Sequence, residues 1–285
     1  MNYNYDTIVL PGGGMKGFAL LGGVQACLDR DLLRNIKTYV GTSIGASICY
    51  CLSIGYTPIE IMTYLHLNKY IEKMKHFNIL DMINGLGATS FNPMAECLEK
   101  MSLEKIGKLL TLSKLKEEYG KTLICVSYNM TTSSVEYVGP ENYPDLPCIT
   151  AIRMSANIPF IFERFKYMDN YYVDGGIIDN FPIEYGNKIC ENSAIGFDLK
   201  VDCKNFKDEP SEGMLSYILK LFQIMINQKN TKETELKKSK IIPIFSKDMF
   251  GSFDFGLNIK TRLDLFSNGY NDVRLFIEEN QVKDT

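Results

Sequence analysis

The sequence predicts an α/β fold of three layers, with helices on both faces of a central, mainly parallel sheet. The chain opens on two strand–turn–helix units whose turns are very short, the connection that a parallel, doubly wound sheet uses. Apolar runs of strand length then go on alternating with helical patterns as far as residue 279. The chain has 285 residues, 45% of them hydrophobic, enough for one large core. No linker, repeat or low-complexity segment interrupts it, so residues 1–285 read as a single domain. The motif-bearing core spans about 5–200, and 201–285 belongs to the same domain.

Tyr5 to Leu10 reads as a buried strand, and the glycine run after it leads into a helix from Phe18 to Arg30. Lys37 to Val40 is the second strand and Ala46 to Ile54 a helix of small, apolar residues. Thr57-Pro58-Ile59-Glu60 is a capping box with proline at the first helical position, and Asn92-Pro93 opens another helix in the same way. Between them, Phe77 to Phe91 holds Asn84-Gly85-Leu86-Gly87, which predicts a mobile loop. Lys121 to Met130 and Ser134 to Val138 form a strand pair across a Thr/Ser turn, and Cys148 to Asn157 is a short helix stopped before Pro159. Phe165 to Met168 and Tyr171 to Val173 flank Asp169-Asn170 as a hairpin that runs into Asp174-Gly175-Gly176. A helix follows Phe181-Pro182, then a strand from Ala194 to Leu199. Pro210 to Gln228 predicts a long amphipathic helix, Ile241 to Phe245 a late strand and Leu263 to Glu279 a closing helix.

A net charge of −3 offers no electrostatic footprint for nucleic acid. The local run Lys237-Lys238-Ser239-Lys240 follows Glu233 and Glu235 and reads as a solvated helix face. No basic segment precedes an apolar one at the start, and the runs Ala46 to Tyr56 and Met214 to Ile226 are too short or interrupted to span a bilayer. Together with eight cysteines, this leads us to expect a cytoplasmic or intracellular protein in a reducing compartment, at most peripheral to a membrane. Cys27, Cys49, Cys51, Cys97, Cys125 and Cys190 sit among apolar residues and read as core thiols. Cys49-Tyr50-Cys51 lacks the second pair that zinc requires, so no metal is expected.

The chemistry lies in the glycine turns. Gly41-Thr42-Ser43-Ile44-Gly45 reads G-x-S-x-G between a strand and a helix, a turn that lifts a serine hydroxyl to a helix N-terminus; a serine capping that helix would give the same pattern. Upstream, Gly12-Gly13-Gly14-Met15-Lys16-Gly17 also fits the dinucleotide pattern G-x-G-x-x-G. The acidic residue that should close the second strand is missing, however, and no G-K-[ST] follows, so an oxyanion hole of backbone N–H groups is the better reading. Lys16 either reaches water or balances a negative group near the site.

The serine needs a base, and only two histidines, His66 and His76, are present. Both lie in helical surroundings that suit a packing or surface role. A carboxylate must then serve, and Asp174, at the end of an apolar strand and followed by Gly175 and Gly176, is the most unusual one. An aspartate in an ordinary turn would look similar.

In combination, these motifs resemble the patatin-like phospholipase family. The matching stretches are Gly12 to Gly17, Gly41 to Gly45, Arg153 to Phe160 (the family's A-S-x-x-x-P-x-x-F segment, with Met154 for the usual alanine) and Asp174 to Pro182. Pro11 departs from the aspartate usual there in plant members. The resemblance covers residues 5 to about 200 and implies a patatin-like fold and a Ser–Asp dyad. Ser43 would be the nucleophile, Asp174 the general base and Gly12, Gly13 and Gly14 the oxyanion donors. Lys16, Gly17, Gly41, Gly45, Gly175 and Gly176 would support them. It implies hydrolysis of phospholipid or lysophospholipid acyl esters met transiently at a membrane or micelle surface, with no cofactor and no metal in the chemical step. An ordinary aspartate, with pKa about 4, is a weak base, so positioning and oxyanion stabilisation would carry more of the rate. Apolar approaches to the serine are expected from Ile61 to Leu86 and from Phe250-Gly251-Ser252-Phe253-Asp254-Phe255.

Overall fold

The computed structural model describes residues 4–74, 78–84, 86–201, 238–246 and 256–282, together with positions 217, 220–222, 224 and 236. Strand β1 (Tyr5–Leu10) is buried along its whole length, which is why it reads as one apolar run. It pairs in parallel with β2 (Thr38–Thr42) and with β7 (Ser193–Val201). β3 (Thr122–Asn129) joins β2 in parallel, and β8 (Ser239–Ser246) joins β7 in parallel. Three strands run antiparallel: β4 (Ser134–Val138) and β6 (Asn170–Asp174) on β3, and β5 (Phe165–Tyr167) on β6. The sheet is therefore mixed but mainly parallel, in the order β5-β6-β3-β2-β1-β7-β8 with β4 beside β3.

Alternation along β1 divides the core. Ile8 and Leu10 enter the larger cluster, with α1 (Gly17–Leu28), α2 (Ile44–Ser53), α6 (Asn92–Ile106) and α8 (Cys148–Ser155). Val9 enters a smaller one, against α9 (Ile183–Ile189). Helices thus flank both faces, unequally. The capping box at Thr57 forms as written, with Glu60 N–H donating to the Thr57 hydroxyl (3.2 Å) and Thr57 N–H to the Glu60 carboxylate (2.7 Å), and opens α3 (Pro58–Leu67). The short helix α4 (Tyr70–Lys73) follows.

The structure departs from the sequence reading in several places. Phe77 to Phe91 is not a plain loop. Asn78 caps a short helix, α5 (Ile79–Ile83), and Ala88 and Thr89 donate to the Phe160 and Ile161 carbonyls at 2.9 and 2.8 Å. Gly85 lies outside the described residues. A helix not anticipated from the sequence, α7 (Leu112–Tyr119), runs from the Thr111 cap to a left-handed Gly120. Ser239 and Lys240 belong to strand β8, not to a solvated helix face; an edge strand can carry lysines as readily as a helix can. Of the Pro210 to Gln228 helix, positions 217, 220–222 and 224 are helical, and the rest lies outside the described residues. All seven described cysteines are free and buried. Among the described residues, no single helix is long and apolar enough to cross a membrane.

The closing helix α10 (Ile259–Val282) lies against α1 at backbone distance. A methyl group on Gly22 would overlap the Phe266 carbonyl, and one on Gly269 the Ala19 carbonyl. In a free helix, glycine to alanine stabilises by about 1 kcal/mol; here the contact reverses the sign. Gly22→Ala and Gly269→Ala should each destabilise the fold by about 1 to 3 kcal/mol in chemical denaturation.

Candidate active site

The site is assembled on one flank of β3. Val126 pairs with Thr42, the last residue of β2, and Ser127 pairs with Asp174, the last residue of β6. β4 covers Cys125 to Asn129 from the other side, so β2 and β6 share the remaining flank and their C-terminal ends meet.

Ser43 stands at that meeting point, between β2 and α2, with φ 56° and ψ −121°. This is a left-handed conformation that a residue with a side chain rarely adopts, and its surroundings over-determine it. A side chain at Gly41 would fall 2.5 Å from the Ala46 nitrogen, and one at Gly45 would overlap the Leu10 carbonyl. Ser43 N–H donates to the Ser155 hydroxyl (3.0 Å), which donates in turn to the Val126 carbonyl (2.5 Å). The elbow is strained but fully bonded.

Asp174 is 1% exposed. Its carboxylate accepts hydrogen bonds from the Ser43 hydroxyl and from Gly176 N–H, the latter at 2.7 Å. Asp174 N–H donates to the Asn157 carbonyl (3.0 Å). The ordinary carboxylate assumed from sequence is not what the fold provides. Burial pushes Asp174 up to about 7, against the opposing pull of the Ser43 and Gly176 bonds. A side chain on Gly175 would overlap the Val126 carbonyl, so this turn too is pressed onto β3.

The glycine run lies beside Ser43. A side chain on Gly12 would come 3.2 Å from Ser43 Cβ and would overlap the Asn180 carboxamide oxygen. Gly12 N–H is already engaged, donating to the Asn180 carbonyl (3.1 Å), and the Asn180 amide donates back to the Gly12 carbonyl (3.2 Å). Among the described residues, the N–H groups of Gly13 and Gly14 have no partner. Gly14 adopts φ 53°, open to glycine, and begins the single 3-10 turn Gly14–Lys16. Lys16 is buried, which decides against the reading in which it reaches water. Gly17 gives α1 room against Ile44 at the start of α2.

Ser43, Gly14 and Ser47 border a cavity of about 110 Å³ whose lining is mostly apolar, including Met15, Leu21, Ile44, Ile48, Leu98 and Phe162. Ile61, Leu65, Tyr70, Ile71 and Met74 line it too, so the first part of the expected Ile61 to Leu86 approach lies where the sequence put it. The Phe250 to Phe255 candidate lies outside the described residues. His66 is exposed on α3 and does not line the cavity; His76 lies outside the described residues.

A patatin-like phospholipase family profile matches residues 8–186, more than half of the chain. The chain belongs to the patatin-like phospholipase family. Over 195 residues it is 35% identical to the probable lipid hydrolase 463L of Invertebrate iridescent virus 6, an alignment that covers 65% of this chain and 64% of that protein. It is also 27% identical to protein R571 of Acanthamoeba polyphaga mimivirus, over 94% of this chain and 92% of the relative. Two solved structures share the fold at low identity. VipD from Legionella pneumophila is 17% identical at a TM-score of 0.57, over 97% of this chain and 67% of VipD. ExoU from Pseudomonas aeruginosa is 14% identical at 0.53, over 97% and 52%. The chain thus spans 64% of the iridescent virus relative's length and about half of ExoU's.

Within this patatin-like site, several residues act that sequence reasoning quoted without assigning a task. Ser155 and Asn157, from the Arg153 to Phe160 stretch, tie the elbow and the Asp174 strand to α8; the Asn157 amide also donates to the Tyr172 carbonyl (2.9 Å). Asp179 and Asn180, from the Asp174 to Pro182 stretch, hold the other two pieces, for the Thr42 hydroxyl donates to the Asp179 carbonyl (3.0 Å). The Asp179 carboxylate accepts from Tyr137 (2.7 Å) and is raised by burial. A signal existed in the recurring asparagines and small polar residues at fixed offsets from Pro159 and Asp174.

A carboxylate raised from 3.8 to about 7 makes stability pH-dependent in a definite sense. Between these values the unfolded chain has lost the proton that the fold retains, so stability falls as pH rises from about 4 to about 7 and is level above. Asp174→Asn keeps an acceptor for Gly176 N–H and loses this slope. Relative to the native chain, Asp174→Asn should gain up to about 4 kcal/mol between pH 4 and pH 8 in chemical denaturation.

Proposed function

We infer that this chain is a lipid acyl hydrolase that cleaves carboxylic esters of phospholipids or lysophospholipids, with Ser43 as nucleophile and Asp174 as general base. One observation carries the reading: Ser43, held in a strained backbone conformation and lining an apolar cavity, donates its hydroxyl to a dry carboxylate. Membership in the patatin-like phospholipase family supports it.

The chemistry balances with groups that the chain supplies and one water. Ser43 Oγ attacks the ester carbonyl while its proton passes to Asp174, and the carbonyl oxygen gains the negative charge. The N–H groups of Gly13 and Gly14 receive that charge, each such donor being worth about 3 kcal/mol in the transition state. Gly12, whose N–H is taken by Asn180, serves to hold the loop rather than to donate. Collapse of the adduct expels the alcohol, which takes the proton back from Asp174 and leaves the acyl group on Ser43. Water then attacks the acyl-enzyme and gives its proton to Asp174, which returns it to Ser43 Oγ as the ester bond breaks and the fatty acid leaves. A base raised to about 7 is matched to neutral conditions far better than an ordinary aspartate.

A fluorophosphonate probe should label the native chain and fail to label Ser43→Ala, as read by intact mass; labelling that survives the substitution would refute the nucleophile. Activity requires ionised Asp174, so kcat/KM for a soluble short-chain ester should fall with unit slope as pH drops below about 7. Asp174→Asn should remove nearly all turnover. Asn180→Ala should lower kcat about 100-fold with KM within a few-fold, because it frees the glycine loop without touching the cavity.

A further inference from the structure

Tyr137 lies on β4, outside every motif of the site, yet strand register sets it beside the serine turn. On β3, Val126 pairs with Tyr137 of β4 on one flank and with Thr42 of β2 on the other. Residues paired across a sheet turn their side chains to the same face, so Tyr137, Val126 and Thr42 form one cross-strand row. Alternation along β2 gives this row the face of the smaller core cluster, to which Val40 belongs and against which Tyr137 and Tyr185 of α9 pack. Two strand spacings separate the ends of the row by about 10 Å. A single residue of the 174–180 segment spans that gap. The Tyr137 hydroxyl donates to the Asp179 carboxylate (2.7 Å), and the Thr42 hydroxyl donates to the Asp179 carbonyl (3.0 Å). Asp179 N–H donates to the Gly175 carbonyl (2.9 Å), so the residue is held at its amide, its carbonyl and its side chain. Among the described residues, Tyr137 is the only donor to that carboxylate. Its ring lies flat on Tyr185, with centroids 3.8 Å apart and planes at 4°, which aims the hydroxyl. Burial and the nearby Glu184 carboxylate raise Asp179, and the Tyr137 bond opposes them. A half-buried carboxylate that loses its donor turns toward water or takes up a proton, and either change loosens the backbone it sits on.

We propose that Tyr137 is a positioning residue for the nucleophile: through Asp179 it holds the Thr42–Ser43 turn and the glycine loop in their working arrangement. Tyr137 acts on the reacting atoms only through others. The Asp179 carbonyl takes the hydroxyl of the residue before Ser43. The same peptide unit leads into Asn180, whose carbonyl and amide hold Gly12. One phenol on the far side of β3 therefore steadies both pieces that must meet the ester. The proposal rests on the acyl-hydrolase reading of Ser43.

The test compares the native chain with Tyr137→Phe, Asp179→Ala and the double variant, using 4-methylumbelliferyl butyrate and a fluorophosphonate probe. Tyr137→Phe keeps the ring and its stack and removes the hydroxyl alone. It should lower kcat about tenfold with KM within about twofold, because small displacements of positioned groups cost rate rather than binding. The rate of fluorophosphonate labelling should fall by a similar factor while intact mass still shows every chain labelled at completion. A hydroxyl that served stability alone would lower the extent of labelling and leave the rate of the folded chains unchanged; that result overturns the proposal. Native kcat and native labelling rate in Tyr137→Phe overturn it too. Asp179→Ala should lose at least as much as Tyr137→Phe, and the double variant no more than Asp179→Ala, since Tyr137 acts through Asp179. Losses that multiply in the double variant overturn that route. If the native chain is labelled at Ser43 and hydrolyses the ester while Tyr137→Phe equals it, the proposal alone fails. If the native chain neither takes the probe nor hydrolyses the ester, the acyl-hydrolase reading has failed, and the proposal with it.

Discussion

The site depends on a single strand flank. β3 accepts one chain end arriving in parallel and another arriving antiparallel, and its consecutive residues Val126 and Ser127 fix them against each other. Ladder hydrogen bonds allow no intermediate register, and a slip of one residue would turn Asp174 to the opposite face of the sheet. The meeting of Ser43 and Asp174, which are distant in sequence, is thus a property of strand pairing before it is a property of either side chain. The glycines on both sides serve this pairing. Gly41, Gly45 and Gly175 are points where a turn must press against backbone.

Two energetic liabilities sit at that point. A left-handed serine costs on the order of 1 to 3 kcal/mol, and a carboxylate out of reach of water costs more as it ionises. Both persist because bonded neighbours leave no cheaper arrangement: Ser155 takes the elbow N–H, and Gly176 supports the carboxylate. The same dryness that penalises the ionised Asp174 raises its proton affinity toward neutrality. Strain and the raised carboxylate thus meet at one point, and the buried sheet on either side absorbs their cost.

Much of this was legible in the chain. β1 and β2 stand where short apolar runs meet glycine turns, and the capping box at Thr57 formed as its residues dictate, because these signals are local. The site residues came from motifs whose spacing is itself a strand–turn–helix requirement. What was not legible depended on distance in space. Lys240 looks the same on a helix face and on an edge strand, and only pairing with β7 decides. The raised Asp174 follows from what covers it, which no window of sequence contains. Gly12 reads as a free donor until Asn180 arrives from the far end of the core. Helix α7 has a polar sequence, and it reaches the core through its Leu112, its Leu115 and a partly buried Tyr119.

The reciprocal bonding of Gly12 and Asn180 has an architectural meaning. Asn180 belongs to the same short segment as Asp174, and through Asp179 that segment also grips the residue before Ser43. Asp174, the glycine loop and the serine turn are therefore fastened to one another rather than each to the scaffold alone. Such a device behaves like a logical conjunction: displacing the 174–180 segment by an ångström would disable all its parts together instead of weakening one. A half-assembled state, with the Ser43 turn in place but parted from Asp174 and the glycine loop, is the state this wiring makes hardest to populate.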